Sequence, residues 1–306
     1  KPIISAAAAL GSYVRRHDID VLHCHNTYAN IVGLIAARRT GAKAIASVNV
    51  WGAFGWKRNL LQQLDSRILR HFDFVGAQSE MTARESIARG IPQRKVRLLI
   101  SGFTETRVLV AVDRRLEMRR KMGVKEGETV LVYVARFWPE KAHEVALEGL
   151  RQLRGAGRNV RLWLPGSGPE LATIRKLAVE LQLEGSVNFL GFQDNLPELL
   201  SLADIMIHPS DNEGVPLALC SGMAAGLPIV ASKVGGNPEV IHHERTGLLI
   251  PPRNPEELTK AVERFMDRPR LAAQLALGAR LFLDEEYSLA IAASRLEGVY
   301  REVLGL

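Results

Sequence analysis

The chain has 306 residues, 47% hydrophobic and 24% charged, an ordinary globular balance that excludes fibrous repeats and bulk disorder. At this length two domains of about 150 residues each are expected, and the longest apolar stretches, such as Ala6 to Leu10 and Val130 to Ala135, fall well short of a spanning helix. The net charge of +7 is uneven: residues 1–110 hold 16 Lys and Arg against 7 Asp and Glu, a balance of +9, while residues 111–306 hold 24 against 26.

Arg15-Arg16, Arg38-Arg39, Lys57-Arg58 and Arg94-Lys95-Val96-Arg97 carry much of that excess. A basic face of this kind attracts anions, whether lipid headgroups or phosphorylated acceptors; the pattern equally suits solvated charges scattered over helices. Nucleic acid is the weakest partner, because the basic pairs lack interleaved aromatics and no nucleic-acid motif is present. Cys24 and Cys220 lie far apart in apolar segments and read as buried thiols of a reducing compartment rather than a disulfide. Lys1-Pro2-Ile3-Ile4 runs straight into an alanine-rich helix without a signal-peptide pattern, so a cytoplasmic location is expected.

After that opening helix, the expected strands are Asp20–His25, Ala44–Val50, Phe74–Gln78 and Val96–Ser101, then Thr129–Arg136, Val160–Gly166, Val187–Phe192, Ile205–Pro209, Pro228–Val234 and Gly247–Pro251. Helical periodicity fills most of the gaps, as in Arg114–Met122, Glu144–Leu153, Pro169–Leu181 and Pro255–Met266. Strands rich in Val, Ile and Leu with little alternation are buried on both faces, which implies parallel sheets covered by helices. The fold class is therefore α/β, two doubly wound Rossmann-like domains. A seam near Gly102–Asp113 divides residues 1–108 from residues 109–284, with 285–306 a final helical segment. The second domain has six strands and the first only four, so about three strands' worth of an ordinary first domain is missing, at roughly 30 residues per βαβ unit. Its first sheet is expected to have an exposed edge that favours self-association.

The densest chemical signal is Ser210-Asp211-Asn212-Glu213-Gly214-Val215-Pro216-Leu217, followed by Ala224–Ser232 and then Val234-Gly235-Gly236-Asn237-Pro238-Glu239. A strand ends at Pro209, a loop presents Glu213, and Pro216 suits the first turn of a helix. The next strand ends in Gly235-Gly236 at another helix start. Two helix N-termini beside the carboxyl ends of parallel strands form an anion pocket at the usual ligand crevice, and glycines there let backbone N–H groups approach a diphosphate. Arg136 and Lys141, five residues apart on a strand-to-helix turn, are placed to stabilise a diphosphate leaving group without a metal.

These residues resemble the retaining family 4 glycosyltransferases of the GT-B fold, which use nucleotide sugars as donors. The likeness extends over nearly the whole chain, through Asp20–His25, the Gly166-Ser167-Gly168-Pro169-Glu170 turn, Thr246–Pro251 and the last helix, Tyr287–Leu304, which in such enzymes crosses back onto the first domain. The resemblance implies that Arg136 and Lys141 grip the donor diphosphate and that Glu213 contacts the donor sugar hydroxyls; these three are the candidate catalytic residues. It implies backbone contacts from Gly235 and Gly236, a nucleobase near Gly191 and Phe192, and further donor contacts at Gly214, Val215, Pro216, Leu217 and Ser221. His25, Asn49 and Trp51 stand on the acceptor side. The implied chemistry is front-face transfer of a hexose from a UDP- or GDP-sugar to a lipid-linked or polysaccharide acceptor, with retention, no metal and no further cofactor, at the inner face of the membrane.

Three departures from the family pattern leave a second reading open, a catalytically impaired nucleotide-sugar-binding module or an N-terminally truncated fragment. The second glutamate of the motif is Ser221, shorter and uncharged; Asn49 stands where many relatives carry a histidine; and the family's first strand and glycine-rich loop are absent. Other patterns read as structural. His23, Cys24 and His25 lack further ligands for a metal, Asp18-Ile19-Asp20 fits a helix-to-strand turn, and Gly166-Ser167-Gly168 lacks the third glycine of a dinucleotide loop. Trp51, Phe54 and Trp56 beside Lys57 and Arg58 suit an acceptor or membrane-surface edge.

Overall fold

The computed structural model describes residues 2–49, 51, 55–104, 108, 110–214 and 216–306, with the backbone alone for 55–59. The chain forms two compact units, residues 1–102 with 287–306, and residues 103–286.

In the first unit, α1 (Ile3–Arg16), β1 (Val21–Cys24), α2 (Thr27–Thr40), β2 (Lys43–Val48), α3 (Gly55–Leu69), β3 (Phe74–Ala77), α4 (Glu80–Ala88) and β4 (Val96–Leu98) alternate along the chain. The sheet order is β1-β2-β3-β4, every pair parallel. Parallel neighbours need helical crossovers, and the sequence ends those helices with local signals. Asn26 and Ser79 cap α2 and α4 by accepting from Ala29 and Thr82 backbone N–H groups, and Gly41 ends α2 at φ +85°. Asp18 sits at φ +46° in the turn before β1, as a helix-to-strand turn requires. The unit closes with α13 (Leu289–Leu304), whose Leu296, Val299 and Tyr300 pack on Ile45 of β2, Phe74 of β3 and Leu99.

The second unit runs α5 (Val112–Lys121), β5 (Thr129–Val132), α6 (His143–Gly155), β6 (Val160–Pro165), α7 (Leu171–Glu180), β7 (Val187–Gly191) and α8 (Leu196–Leu202). It continues through β8 (Ile205–His208), α9 (Leu217–Ala224), β9 (Ile229–Ser232), α10 (Asn237–Val240), β10 (Leu248–Ile250), α11 (Pro255–Asp267) and α12 (Pro269–Glu286). Its six strands are parallel in the order β10-β9-β8-β5-β6-β7. Both halves of this sheet wind outward from the β5–β8 pair, so β5–β8 is the topological switch point, and the crevice beyond its carboxyl end is where such sheets take ligands. β5, β6, β8 and β9 are almost wholly buried, as their unalternating apolar sequences require. Arg161 in β6 is a buried charge among them, and its guanidinium donates to Glu128 at 2.9 Å and Asn188 at 2.8 Å.

All ten expected strands are present, trimmed by one to four residues at one or both ends in most cases. The trimming is largest at β5, which stops at Val132, although the N–H groups of Tyr133, Ala135 and Phe137 still donate to the Trp163, Pro165 and Ser167 carbonyls alongside. Among the described residues, no helix is long and apolar enough to cross a membrane. Cys24 and Cys220 are buried and form no disulfide.

Candidate donor site

Two segments leave the sheet at the switch point and are stitched together above it. From β5 come Tyr133, Arg136 and, on a single 3-10 turn spanning Pro139–Lys141, Lys141. From β8 come His208, Ser210 and Glu213. The Tyr133 hydroxyl donates to the Lys141 carbonyl at 2.5 Å and lies 2.9 Å from Ser210 Oγ. The Asp211 N–H adds a backbone bond to the Glu140 carbonyl at 2.9 Å. Burial drives the Tyr133 hydroxyl far above its ordinary pKa, so it remains protonated and acts as a fixed donor.

At the centre, Lys141 Nζ donates to Glu213 Oε1 at 2.7 Å, with the two side chains 14% and 7% exposed. His208 Nε2 lies 2.7 Å from the same oxygen. Burial by itself would push Glu213 up, but the hydrogen bond and charge of His208, then of Lys141, prevail and bring it down to about 2. Glu213 is thus a buried carboxylate held ionised by two donors. Arg136 is exposed and lies 5.6 Å from the Trp138 ring centre, leaving its charge at the mouth of the turn. His143, at the start of α6, is fully buried and stacks on Phe137 at 4.2 Å. Burial, with the nearby Lys141 and His208 charges, lowers it to about 3, so it is neutral.

The glycines fit this crowding. Gly235 has φ +51°, and a Cβ there would lie 1.9 Å from the Glu213 carbonyl oxygen; at Gly236 it would lie 2.0 Å from that of Gly214. The two backbones run in contact, and the Gly236 N–H reaches the Glu213 carbonyl at 3.3 Å. Gly214 follows Glu213 and is partly buried; Pro216 precedes α9 as its cap, and Leu217, its first residue, is exposed. Gly191 ends β7 at φ +68°, and Phe192 beyond it is 76% exposed, an uncovered aromatic face at the end of the sheet. Val215 lies outside the described residues.

Several expectations change. The helix after Gly235-Gly236, α10, is one turn of four residues, too short to build a sizeable dipole. Of the two helix N-termini expected to line an anion pocket, only that of α9 heads a helix longer than one turn. Ser221 is buried in α9 with its hydroxyl donating back to the Leu217 carbonyl at 3.3 Å, so its proton is spent within its own helix. Trp51 is 4% exposed, its indole donating to Ser86 at 2.8 Å with Arg89 stacked 4.7 Å from the ring; it belongs to the core rather than to an acceptor edge. Phe54 and the side chains of Trp56, Lys57 and Arg58, expected at the same edge, lie outside the described residues. His25 and Asn49 are both exposed just beyond β1 and β2, at the carboxyl end of the first sheet. His25 stacks on His23 at 4.3 Å, and His23 itself bonds Ser47 at 2.8 Å and Tyr300 at 3.0 Å. Among the described residues no three His, Cys, Asp or Glu stand together as a metal set.

Tyr133 and His208 are site residues that the motifs do not mark, and Ser210 stands in the motif only as its first residue. The available signal was a histidine ending an otherwise aliphatic strand, Ile205-Met206-Ile207-His208, five residues before the acid.

Residues 114–282 match the family Glycosyl transferases group 1, and residues 3–102 match a Glycosyl transferase 4-like domain. N-acetyl-alpha-D-glucosaminyl L-malate synthase of Bacillus anthracis is 26% identical over 98% of this chain and 79% of its own length. A GDP-mannose-dependent alpha-(1-6)-phosphatidylinositol monomannoside mannosyltransferase of Mycobacterium tuberculosis is 29% identical over 79% of this chain and 66% of its own. HepE of Anabaena, solved in complex with UDP, superposes with a TM-score of 0.86 over 97% of this chain and 82% of its own, at 21% identity, a likeness of fold.

Proposed function

We propose, from the premise that this chain belongs to the group 1 glycosyl transferases, that it transfers a hexose from a UDP- or GDP-sugar to a lipid-linked or polysaccharide acceptor, with retention and without a metal. The observation that carries the proposal is the Lys141–Glu213 pair, buried at the switch point of the second sheet and backed by Gly235 and Gly236. The second unit holds the donor. Lys141 and Arg136 meet the diphosphate, Glu213 and the glycine backbone meet the sugar, and Phe192 offers a flat apolar face to the base.

In the transfer, the bond between the sugar anomeric carbon and the phosphate oxygen breaks as the acceptor oxygen bonds to the same face. The acceptor proton passes to the departing phosphate, and the two cations take up the charge that develops there. The nucleotide UDP bound by HepE and the GDP-mannose named for the mycobacterial enzyme support this donor class. The first unit, carrying the basic excess, takes the acceptor side. Leu60, Leu61 and Leu64 are exposed on α3 of that unit, which supports a lipid-linked acceptor and contact with an anionic membrane surface. Ser221 favours the impaired reading at one point: losing a charge-assisted bond to the ribose weakens donor binding by ~1–3 kcal/mol.

Thermal shift against UDP, GDP, ADP and their hexose conjugates, with and without EDTA, tests the proposal. Stabilisation by one nucleotide series, unchanged by EDTA, supports it; no response to any would overturn it. Binding without sugar release to any acceptor would establish the impaired module instead.

A further inference from the structure

Lys141 and Glu213 bind each other in this structure, yet a donor sugar needs Glu213 at its hydroxyls while its diphosphate draws Lys141. The two partners of Glu213 differ in what holds them. Lys141 ends a single 3-10 turn with an exposed segment, Trp138 to Pro139, on one side. His208 ends β8, which is hydrogen-bonded to β5 on one side and β9 on the other, and its ring is 2% exposed and edge-on to Tyr133 at 5.4 Å. Among the described residues its Nδ1 has no hydrogen-bond partner, and Nε2 lies 2.7 Å from Glu213 Oε1 and 3.4 Å from Ser210 Oγ. A carboxylate cannot donate, so the short contact puts a proton on Nε2.

We propose that His208 is the positioning residue of the donor site: its Nε2–H keeps the Glu213 carboxylate in place for the sugar hydroxyls while Lys141 turns to the diphosphate. The proposal rests on the donor reading given above. His208 touches no substrate; it acts through Glu213, and the rigid sheet rather than the loop sets the carboxylate's position. A carboxylate 7% exposed and turned from its ammonium partner keeps His208 as its side-chain donor among the described residues, and without it the group is a buried charge until the sugar hydroxyls reach it.

The test compares titrations of UDP and GDP with those of their hexose conjugates on the wild type, His208→Phe and His208→Gln. Phenylalanine keeps the ring packing without the N–H, and glutamine carries an N–H donor to the Nε2 position. His208→Phe should leave the affinity for the bare nucleotide within about threefold, while affinity for the nucleotide sugar falls by ~10–100-fold, the range of one charge-assisted bond. His208→Gln should recover most of that loss. Equal changes for nucleotide and nucleotide sugar, no change for either, or no rescue by glutamine would overturn the proposal. Should His208→Phe fail to fold, His208→Asn, whose amide is too short to reach Glu213, takes its place against glutamine. A wild type that binds no nucleotide would overturn the donor reading itself, and this assignment with it, whereas a wild type that binds while His208→Phe matches it overturns this assignment alone.

Discussion

Lys141→Met isolates what the buried pair contributes to the second unit. The carboxyl of Glu213 titrates at about 2 against 4.5 for the free group, a depression that corresponds to ~3 kcal/mol of stability at neutral pH, at 1.36 kcal/mol per unit. His208 and Lys141 share that effect, and burial opposes it, so removing one donor while the other stays should cost about 2 kcal/mol. That is less than the ~3–5 kcal/mol for a buried charge left without any partner. Because the folded pKa is depressed, the stabilisation is complete above about pH 4.5 and disappears as pH falls from there through about 2. The variant should therefore differ from the wild type at neutral pH and converge with it in acid. Urea unfolding followed by hydrogen exchange of the β5 and β8 amides reads the second unit specifically. A loss below about 0.5 kcal/mol at neutral pH, the value of an exposed pair, would refute the argument, because it would mean that water reaches the pair freely.

Other perturbations probe separate parts of the account. Gly235→Ala places a Cβ against the Glu213 carbonyl and strains a left-handed residue, so nucleotide-sugar affinity should fall at least tenfold, measured by calorimetry, with the protein still folded. Trp51→Phe removes the indole bond to Ser86 and should lower the stability of the first unit by about 1–2 kcal/mol in urea unfolding while leaving donor binding unchanged. His23 is lowered to about 4 by burial and then by the His25 charge. Below about pH 6.5 the unfolded chain takes up the proton first, so stability from the neutral ring declines from there towards about pH 4; His23→Gln should flatten that decline in a pH series of melting temperatures.

The strands were legible because a parallel sheet covered on both faces demands unbroken apolar runs, and Ile205-Met206-Ile207 or Thr129-Val130-Leu131-Val132 carry that demand locally. Helix ends were legible where a cap lies within three residues, as at Asn26 and Ser79. The acid at 213 and the glycines at 235 and 236 stood out through their spacing around the β8 and β9 ends. What escaped depends on partners distant in sequence. Trp51 is buried because Ser86, 35 residues on, accepts its N–H, and nothing in the loop's own aromatic and basic composition distinguishes that from an exposed edge. His208 read as part of a strand, since its meaning comes from a carboxylate that returns to it over the loop and from Tyr133, 75 residues earlier. The length of the helix after Gly236 was equally hidden: Asn237-Pro238-Glu239 opens a helix convincingly, but Ile241 leaves in extended conformation after one turn.

The placement of α13 also orders the assembly of the protein in time. The first unit is discontinuous: it opens with residues 1–102 and is completed by residues 287–306, after the whole of the second unit. Ile45, Phe74 and Leu99 therefore emerge from the ribosome two hundred residues or more before Val299 arrives to cover them. The second unit, contiguous in sequence, can close as soon as it is made. Of the two sheets, the one made earlier is thus the one finished later, with an apolar face open in the interval.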